Sequence, residues 1–231
     1  MMDEASFAKL CRPSGVNMPY PVVSPVQERI VILALEVAWK ELRRDHKGDL
    51  ATLSEDQTTT LLEARLNVLL DDESVPGFVR ESFAVVREPK VTNFNGLHPD
   101  KMPDLGFLLG RLRPGLPADY VLYVECKPVN AERGMSPYYG RDGMGCFLEG
   151  DYGCKMRSGL MVAYAQEGYT FAEKMEPTLR ERFQQPDDPF ATTQLITHTT
   201  TPESHHARRW CYANQQVPGD IRLLHVWLTT G

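Results

Sequence analysis

Three side chains in this chain have the types and spacing for metal-assisted chemistry on a water molecule: Asp104, Glu125 and Lys127. Pro103-Asp104 opens one apolar segment, Asp104-Leu105-Gly106-Phe107-Leu108-Leu109. Glu125-Cys126-Lys127 closes the next, Tyr120-Val121-Leu122-Tyr123-Val124-Glu125-Cys126-Lys127. Read as adjacent strands, the period of two places Glu125 and Lys127 on one face of the second. Hard divalent cations take oxygen ligands, which the Asp104 and Glu125 carboxylates supply, with the backbone carbonyl of Cys126 as a third. Beside such a cation, Lys127 is pulled down in pKa by the metal and by burial and up by the carboxylates, in position to orient or deprotonate a water.

The elements that must position these groups follow from capping and periodicity. Residues 1–23, punctuated by Pro13, Pro19 and Pro21, read as a surface arm. Ser24-Pro25-Val26-Gln27 starts a helix to about Arg44, with a hydroxyl cap and proline in the first turn. Ser54-Glu55-Asp56-Gln57 repeats the capping pattern ahead of Thr58–Leu70. On that second helix Glu55 falls in line with Leu62 and Leu66, so an acid stands on the buried stripe and calls for a partner; Glu63, at the stripe's edge, is its competitor. Phe83–Val86 is a strand, with Val91–Phe94 either its hairpin partner or loop. Arg113-Pro114-Gly115-Leu116-Pro117 is turn chemistry, short enough to make the two site strands an antiparallel hairpin. Pro128 is expected to end the second strand sharply. Ser136-Pro137 opens a glycine-spotted helix to about Leu148, Gly159–Ala165 is a buried strand, and Thr170–Glu173 caps a helix to about Phe183. Gln194–Thr197 and Ile221–Leu228 close the fold as strands.

Pro-Asp, an apolar gap, then Glu-x-Lys at a strand end resembles the PD-(D/E)XK nuclease superfamily. The resemblance implies an α/β fold with a mixed central β-sheet flanked by helices, in one domain over residues 1–231. Its restriction-endonuclease-like core would cover about residues 54–165, with an N-terminal arm and helix (1–46) and C-terminal additions (166–231). It implies phosphodiester hydrolysis dependent on Mg²⁺ or Mn²⁺, with DNA the favoured substrate. Asp104 and Glu125 would be metal ligands, Lys127 would activate water or stabilise developing charge, and Glu55 would match an acid that many members carry on the helix before the first core strand. The stretch Tyr138–Phe147, then Gly150-Asp151-Tyr152 and Gly159–Tyr164, resembles nucleases of bacterial restriction and phage defence. Tyr139 and Arg141 are the nearest candidates there for contact with a phosphate. Two alternatives stand beside this reading: a catalytically silent binding or assembly module of the same fold, and an RNA-directed nuclease. The bland counterpart is a surface Glu125–Lys127 ion pair with Asp104 capping a turn.

Composition narrows what else the chain can be. Across 231 residues the formal net charge is −6, the wrong sign for gripping long duplex DNA by phosphate neutralisation alone. Any nucleic-acid contact must be local, at Arg111 with Arg113, Lys155 with Arg157, or His205-His206-Ala207-Arg208-Arg209. A protein partner such as an ATPase or helicase would supply the remaining affinity. The chain has no GxxxxGK[ST] loop with which to hydrolyse ATP itself. Five cysteines without CxxC spacing read as reduced thiols, and Cys146, Cys154, His205, His206 and Cys211 lack the short spacings of a zinc site. His225, in an apolar strand, reads as a hydrogen-bonded core histidine. The longest apolar run, Ile30–Leu35, is far short of the ~20 residues of a membrane span. With no recognisable secretory leader, a cytoplasmic location is expected.

Overall fold

The computed structural model describes residues 18–46, 48–109, 116–117 and 119–230. Arg111, Arg113, most of the turn between the site strands and most of the N-terminal arm lie outside the described residues. Helix α1 spans Pro25–Asp45 and buries Val31, Ala34, Leu35, Ala38, Trp39 and Leu42 along one stripe. Ser24 precedes it in extended conformation, but its hydroxyl makes no capping bond, so proline's fixed φ in the first turn is what starts this helix. After a 3₁₀ turn at Asp49–Thr52, α2 runs Glu55–Asp71 behind a complete capping box. There the Ser54 hydroxyl accepts from the Gln57 amide (3.2 Å) and the Gln57 side chain accepts from the Ser54 amide (2.9 Å).

Seven strands form one mixed sheet: β1 Ala84–Arg87, β2 Leu105–Leu108, β3 Val121–Val129, β4 Ser158–Ala165, β5 Thr192–Ile196, β6 Glu203–His206 and β7 Ile221–Thr229. Their order is β1-β2-β3-β4-β7-β6-β5. The β3–β4 and β4–β7 pairs at the centre are parallel, and the pairs outside them are antiparallel. The expected mixed α/β sheet and the β2–β3 antiparallel hairpin are therefore present. Residues 91–94 are loop, joined to the chain ahead by the Val91–Lys101 bridge and by hydrogen bonds between Asn93 and His98. β6 was not expected: its sequence, Glu203-Ser204-His205-His206, carries no apolar alternation.

Pro128 does not end β3, which continues through it to Val129. Backbone groups of Tyr120 and Cys126 face the β2 side, so by alternation the absent Pro128 amide would also point there, beyond the end of β2, where no ladder bond is lost. The glycine-spotted segment is likewise not a plain α-helix. Met135–Met144 is a π-helix that tightens into α3, Gly145–Leu148. It is wide and lies close on the sheet: a Cβ at Gly143 would sit 2.8 Å from the Met161 side chain and 3.3 Å from Cγ of Lys127.

Helices cover both faces. On one, the Trp39 indole stacks on Tyr164 (5.3 Å between rings) and donates to the Thr229 carbonyl at 2.7 Å, while Thr59 of α2 meets the Tyr164 hydroxyl at 2.9 Å. On the other lie the π-helix and α4, Phe171–Glu181, whose Phe171 ring packs 4.7 Å from His225. Among the described residues no helix is long and apolar enough to cross a membrane.

Beneath that second face runs a buried polar wire in which each group settles its neighbour's proton. His206 Nδ1 must donate to the Phe190 carbonyl (2.9 Å), leaving Nε2 to accept from the Ser204 hydroxyl (2.7 Å). Ser204 then accepts from His225 Nε2 (2.7 Å), and His225 Nδ1 accepts from the Tyr139 hydroxyl (3.0 Å). Burial, the largest influence on both, pushes His206 down to about 4 and His225 to about 3 from the ordinary 6.5. Because the folded values lie below the unfolded one, the contribution of these imidazoles is complete above pH 6.5 and declines as pH falls toward 4. Neither ring should titrate between pH 8 and 5 in ¹H–¹⁵N spectra, and Ser204→Ala, which strips both rings of a partner, should cost about 2–3 kcal/mol in urea unfolding at pH 7.5.

Candidate active site

The site is built where one strand outruns its neighbour. Leu105 pairs with Val124 at the start of β2, so Asp104 stands opposite Glu125, and β3 from Cys126 onward presents an open edge. Cys126 directs its amide to that edge and donates to Asp104 Oδ2 at 2.7 Å. Its carbonyl points the same way, because a strand residue's N–H and C=O share one side. Arg87 of β1 holds Asp104 from behind, donating to its carbonyl at 2.8 Å and lying 3.6 Å from Oδ1.

Over the open edge the first residue of α2 delivers the Glu55 carboxylate. Lys127 Nζ lies between two acids, 2.8 Å from Glu55 Oε1 and 2.8 Å from Glu125 Oε1. The outer oxygen of each acid takes a tyrosine hydroxyl: Tyr138 donates to Glu55 Oε2, and Tyr152 to Glu125 Oε2. Arg133 closes the solvent side, its guanidinium 4.5 Å from the centre of the Tyr138 ring and 3.7 Å from Glu55 Oε2. The result is a chain of five side chains, Tyr138–Glu55–Lys127–Glu125–Tyr152, entering the protein from its surface. Glu125 is 6 % exposed and Lys127 8 %.

Burial and the neighbouring Asp104 push Glu125 up to about 7, against the pull of Lys127 and Tyr152. Asp104 is raised as well, by burial first, although the Cys126 amide and Lys127 oppose the shift. Burial alone would lower Lys127, but Glu125 and Glu55 together hold it above the ordinary lysine value. Between burial and the two carboxylates, the carboxylates prevail at Lys127.

Among the described residues, no three His, Cys, Asp or Glu side chains gather as a metal site. The oxygen donors that do adjoin are the Asp104 and Glu125 carboxylates and the Cys126 carbonyl, two side chains and one backbone group. Their chemistry fits a hard divalent cation: both acids are raised, so the pair draws positive charge beyond what Lys127 brings.

Of the residues singled out from sequence, Glu55, Asp104, Glu125, Cys126 and Lys127 come together. Glu63 does not; its carboxylate accepts from Asn67 one turn on. Tyr139 is not a surface phosphate contact, being 1 % exposed and bonded to His225. Arg141 projects to solvent beside Asp142. The wide π-helix rotates successive residues differently from the α-helical reading and turns Tyr138 to the site. Of the proposed basic spots, Lys155 is paired with Asp119 at 2.6 Å, and His206 and Arg208 are buried. His225 is the core histidine expected. Cys126, Cys146, Cys154 and Cys211 are free thiols. Tyr138, Tyr152, Arg133 and Arg87 were not foreseen as site residues; Tyr138 and Tyr152 lie in the stretches that carry the family resemblance, and Arg133 is a cation six residues past Lys127 in a loop.

No protein-family model, curated protein or solved structure matches the chain.

Removing the lysine leaves two acids facing each other across a buried gap. Glu125's folded pKa lies above its unfolded value, so its ionisation opposes folding above about pH 7, and protonation relieves that cost as pH falls toward 4.5. Lys127→Met is expected to cost about 3 kcal/mol at pH 8 and clearly less at pH 5.5, with Glu125→Gln recovering at least half of the loss in the double variant. Urea denaturation of the four proteins at both pH values checks this.

Proposed function

We propose that the chain is a metal-dependent nuclease that hydrolyses phosphodiester bonds, DNA being the favoured substrate. The observation that carries the reading is the placement of Asp104 opposite Glu125 at an open strand edge, with Lys127 bridging Glu125 to Glu55. Helix, three-strand meander, helix and strand follow one another over residues 55–165, the span that the family resemblance assigns to its core. The same resemblance makes the protein a candidate subunit of a phage-defence or DNA-processing system.

Asp104, Glu125 and the Cys126 carbonyl would hold Mg²⁺ or Mn²⁺. Bound there, the ion would supply charge neutralisation on phosphoryl oxygens and a water made more acidic. The chain's own groups do the rest. Lys127, held between two acids, would orient or activate a water or meet a phosphoryl oxygen. Glu55 fixes the direction of that ammonium. Tyr152 pins the second oxygen of Glu125, leaving Oε1 as the one that exchanges partners. Arg87, bound to both the carbonyl and the carboxylate side of Asp104, keeps that acid at the edge.

The net charge of −6 supports a catalytic centre that relies on a partner for its grip on nucleic acid, such as an ATPase or helicase. The silent-module alternative draws on one observation: both Glu125 oxygens already have protein donors.

Labelled DNA and RNA, incubated with the protein with and without Mg²⁺ or Mn²⁺ and with and without a co-purifying partner, separate these readings. Metal-dependent cleavage is expected, and Asp104→Asn, Glu125→Gln and Lys127→Ala should each lower it at least ~10²-fold, the scale of losing one group that stabilises transition-state charge. Arg141→Ala should leave it unchanged. Cleavage that survives both Glu125→Gln and Lys127→Ala would reject the site, and none under any condition would favour the silent module.

A further inference from the structure

A cleft of about 410 Å³ opens directly beside the site. It lies between the start of α2 and the carboxyl ends of β3, β4 and β7, marked by Val129, Gln166 and Thr230. In open α/β sheets the carboxyl ends of parallel strands are where ligands seat, and the volume falls within the range of small-molecule pockets. It shares two residues with the site, Glu55 and Arg133.

We infer that this cleft holds one unpaired nucleotide of the substrate, next to the bond presented to Asp104, Glu125 and Lys127; the assignment rests on the nuclease reading for the identity of that bond. One wall is apolar, with Leu53 and Val129, and suits the face of a base. The lining also carries side-chain amides that can pair with a base edge: Gln166, which makes no side-chain bond within the described residues, and Asn130, which uses only Oδ1, accepting from the Glu132 amide at 3.1 Å. Arg133 supplies the counter-charge for a phosphate. Among the described residues only its Nη1 is engaged, by Tyr138 and Glu55, which leaves Nε and Nη2 of a guanidinium with five N–H groups to meet an anion. Two carboxylates, Glu55 and Glu132, line the same space; Glu55 is turned to Lys127 and Tyr138, and Arg133 is the cation that offsets them at the phosphate.

At about 410 Å³ the cleft is on the scale of one small molecule, and so of one base with its sugar, not of a base-paired duplex. The substrate class is thus a single strand, a frayed end or a flipped nucleotide. This agrees with the net charge of −6, since seating one nucleotide needs one well-placed cation and not a long basic track.

The test is calorimetric titration of the metal-free protein with each of the four deoxynucleoside 5′-monophosphates, the matching nucleosides and inorganic phosphate, on wild type, Leu53→Trp, Gln166→Ala and Arg133→Ala. At least one monophosphate is expected to bind at least ~10-fold more tightly than its nucleoside or phosphate. Leu53→Trp, a partly exposed position, should fill the cleft and weaken that binding at least ~10-fold with an unchanged melting temperature. Arg133→Ala should weaken the monophosphate but not the nucleoside, and Gln166→Ala should alter the ranking of bases. Cleavage, where present, should favour single-stranded over blunt duplex substrate, and Leu53→Trp should erase the preference. Monophosphate binding that Leu53→Trp leaves intact, or none at millimolar concentration, overturns the assignment, even if metal-dependent cleavage persists. Leu53→Trp-sensitive nucleotide binding without any cleavage keeps the cleft and rejects the nuclease.

Discussion

β3 runs past the first residue of β2, and the chemistry of this protein depends on that difference in strand length. If β2 extended further back, its backbone would occupy the Cys126 amide and carbonyl, and Glu55 would have no gap through which to reach Lys127. Because it stops, the Cys126 amide must find another acceptor, and Asp104 supplies a side-chain oxygen at 2.7 Å. One hydrogen bond thereby satisfies a buried donor and sets the first acid of the site. The same open edge tolerates Pro128, which would break a ladder anywhere else in the interior of this sheet.

The second constraint is charge. Glu55, Asp104 and Glu125 face one ammonium, with Arg87 and Arg133 only at the margins, at 3.6 and 3.7 Å from their acids. A structural salt bridge of this depth would be expected to balance, since an uncompensated buried acid costs several kcal/mol or takes up a proton. This one does not balance, and Glu125 answers by rising to about 7. Groups held in such a mismatch are more typical of functional sites than of cores. A structural counterpart exists elsewhere in the same molecule: Glu28, buried on α1, receives Arg222 and the Ser158 hydroxyl and ties α1 to β7 and β4.

Much of this was legible in the residues themselves. A capping box placed the start of α2, continuous apolar runs placed β3 and β4, and the helical wheel turned Glu55 inward, because all three signals are local in the chain. Tyr152 lies 27 residues from the carboxylate it holds and Tyr138 lies 83 from its own, and separations of that size leave no local pattern. β6 escaped because two of its four residues serve the buried wire of Ser204 and His206, so its inward positions are polar. Tyr139 and Tyr138 were exchanged because the π-helix does not keep the 3.6-residue period on which the choice between neighbours depends.

That π-helix also explains how a lysine can be held so deep. A long flexible side chain loses up to about 2 kcal/mol of rotamer freedom when fixed, so its stem needs a surface that leaves little room to turn. Gly143 brings bare backbone against the Lys127 stem, where any side chain would crowd both Cγ of the lysine and Met161. The wide turn then carries Tyr138 round to the far side of the ammonium, 5.6 Å from its ring centre, with the hydroxyl on Glu55. One segment thus grips the lysine by its stem and aligns the acid that receives its head. The glycines of Met135–Met144, which make it a poor α-helix, are what allow it to lie this close.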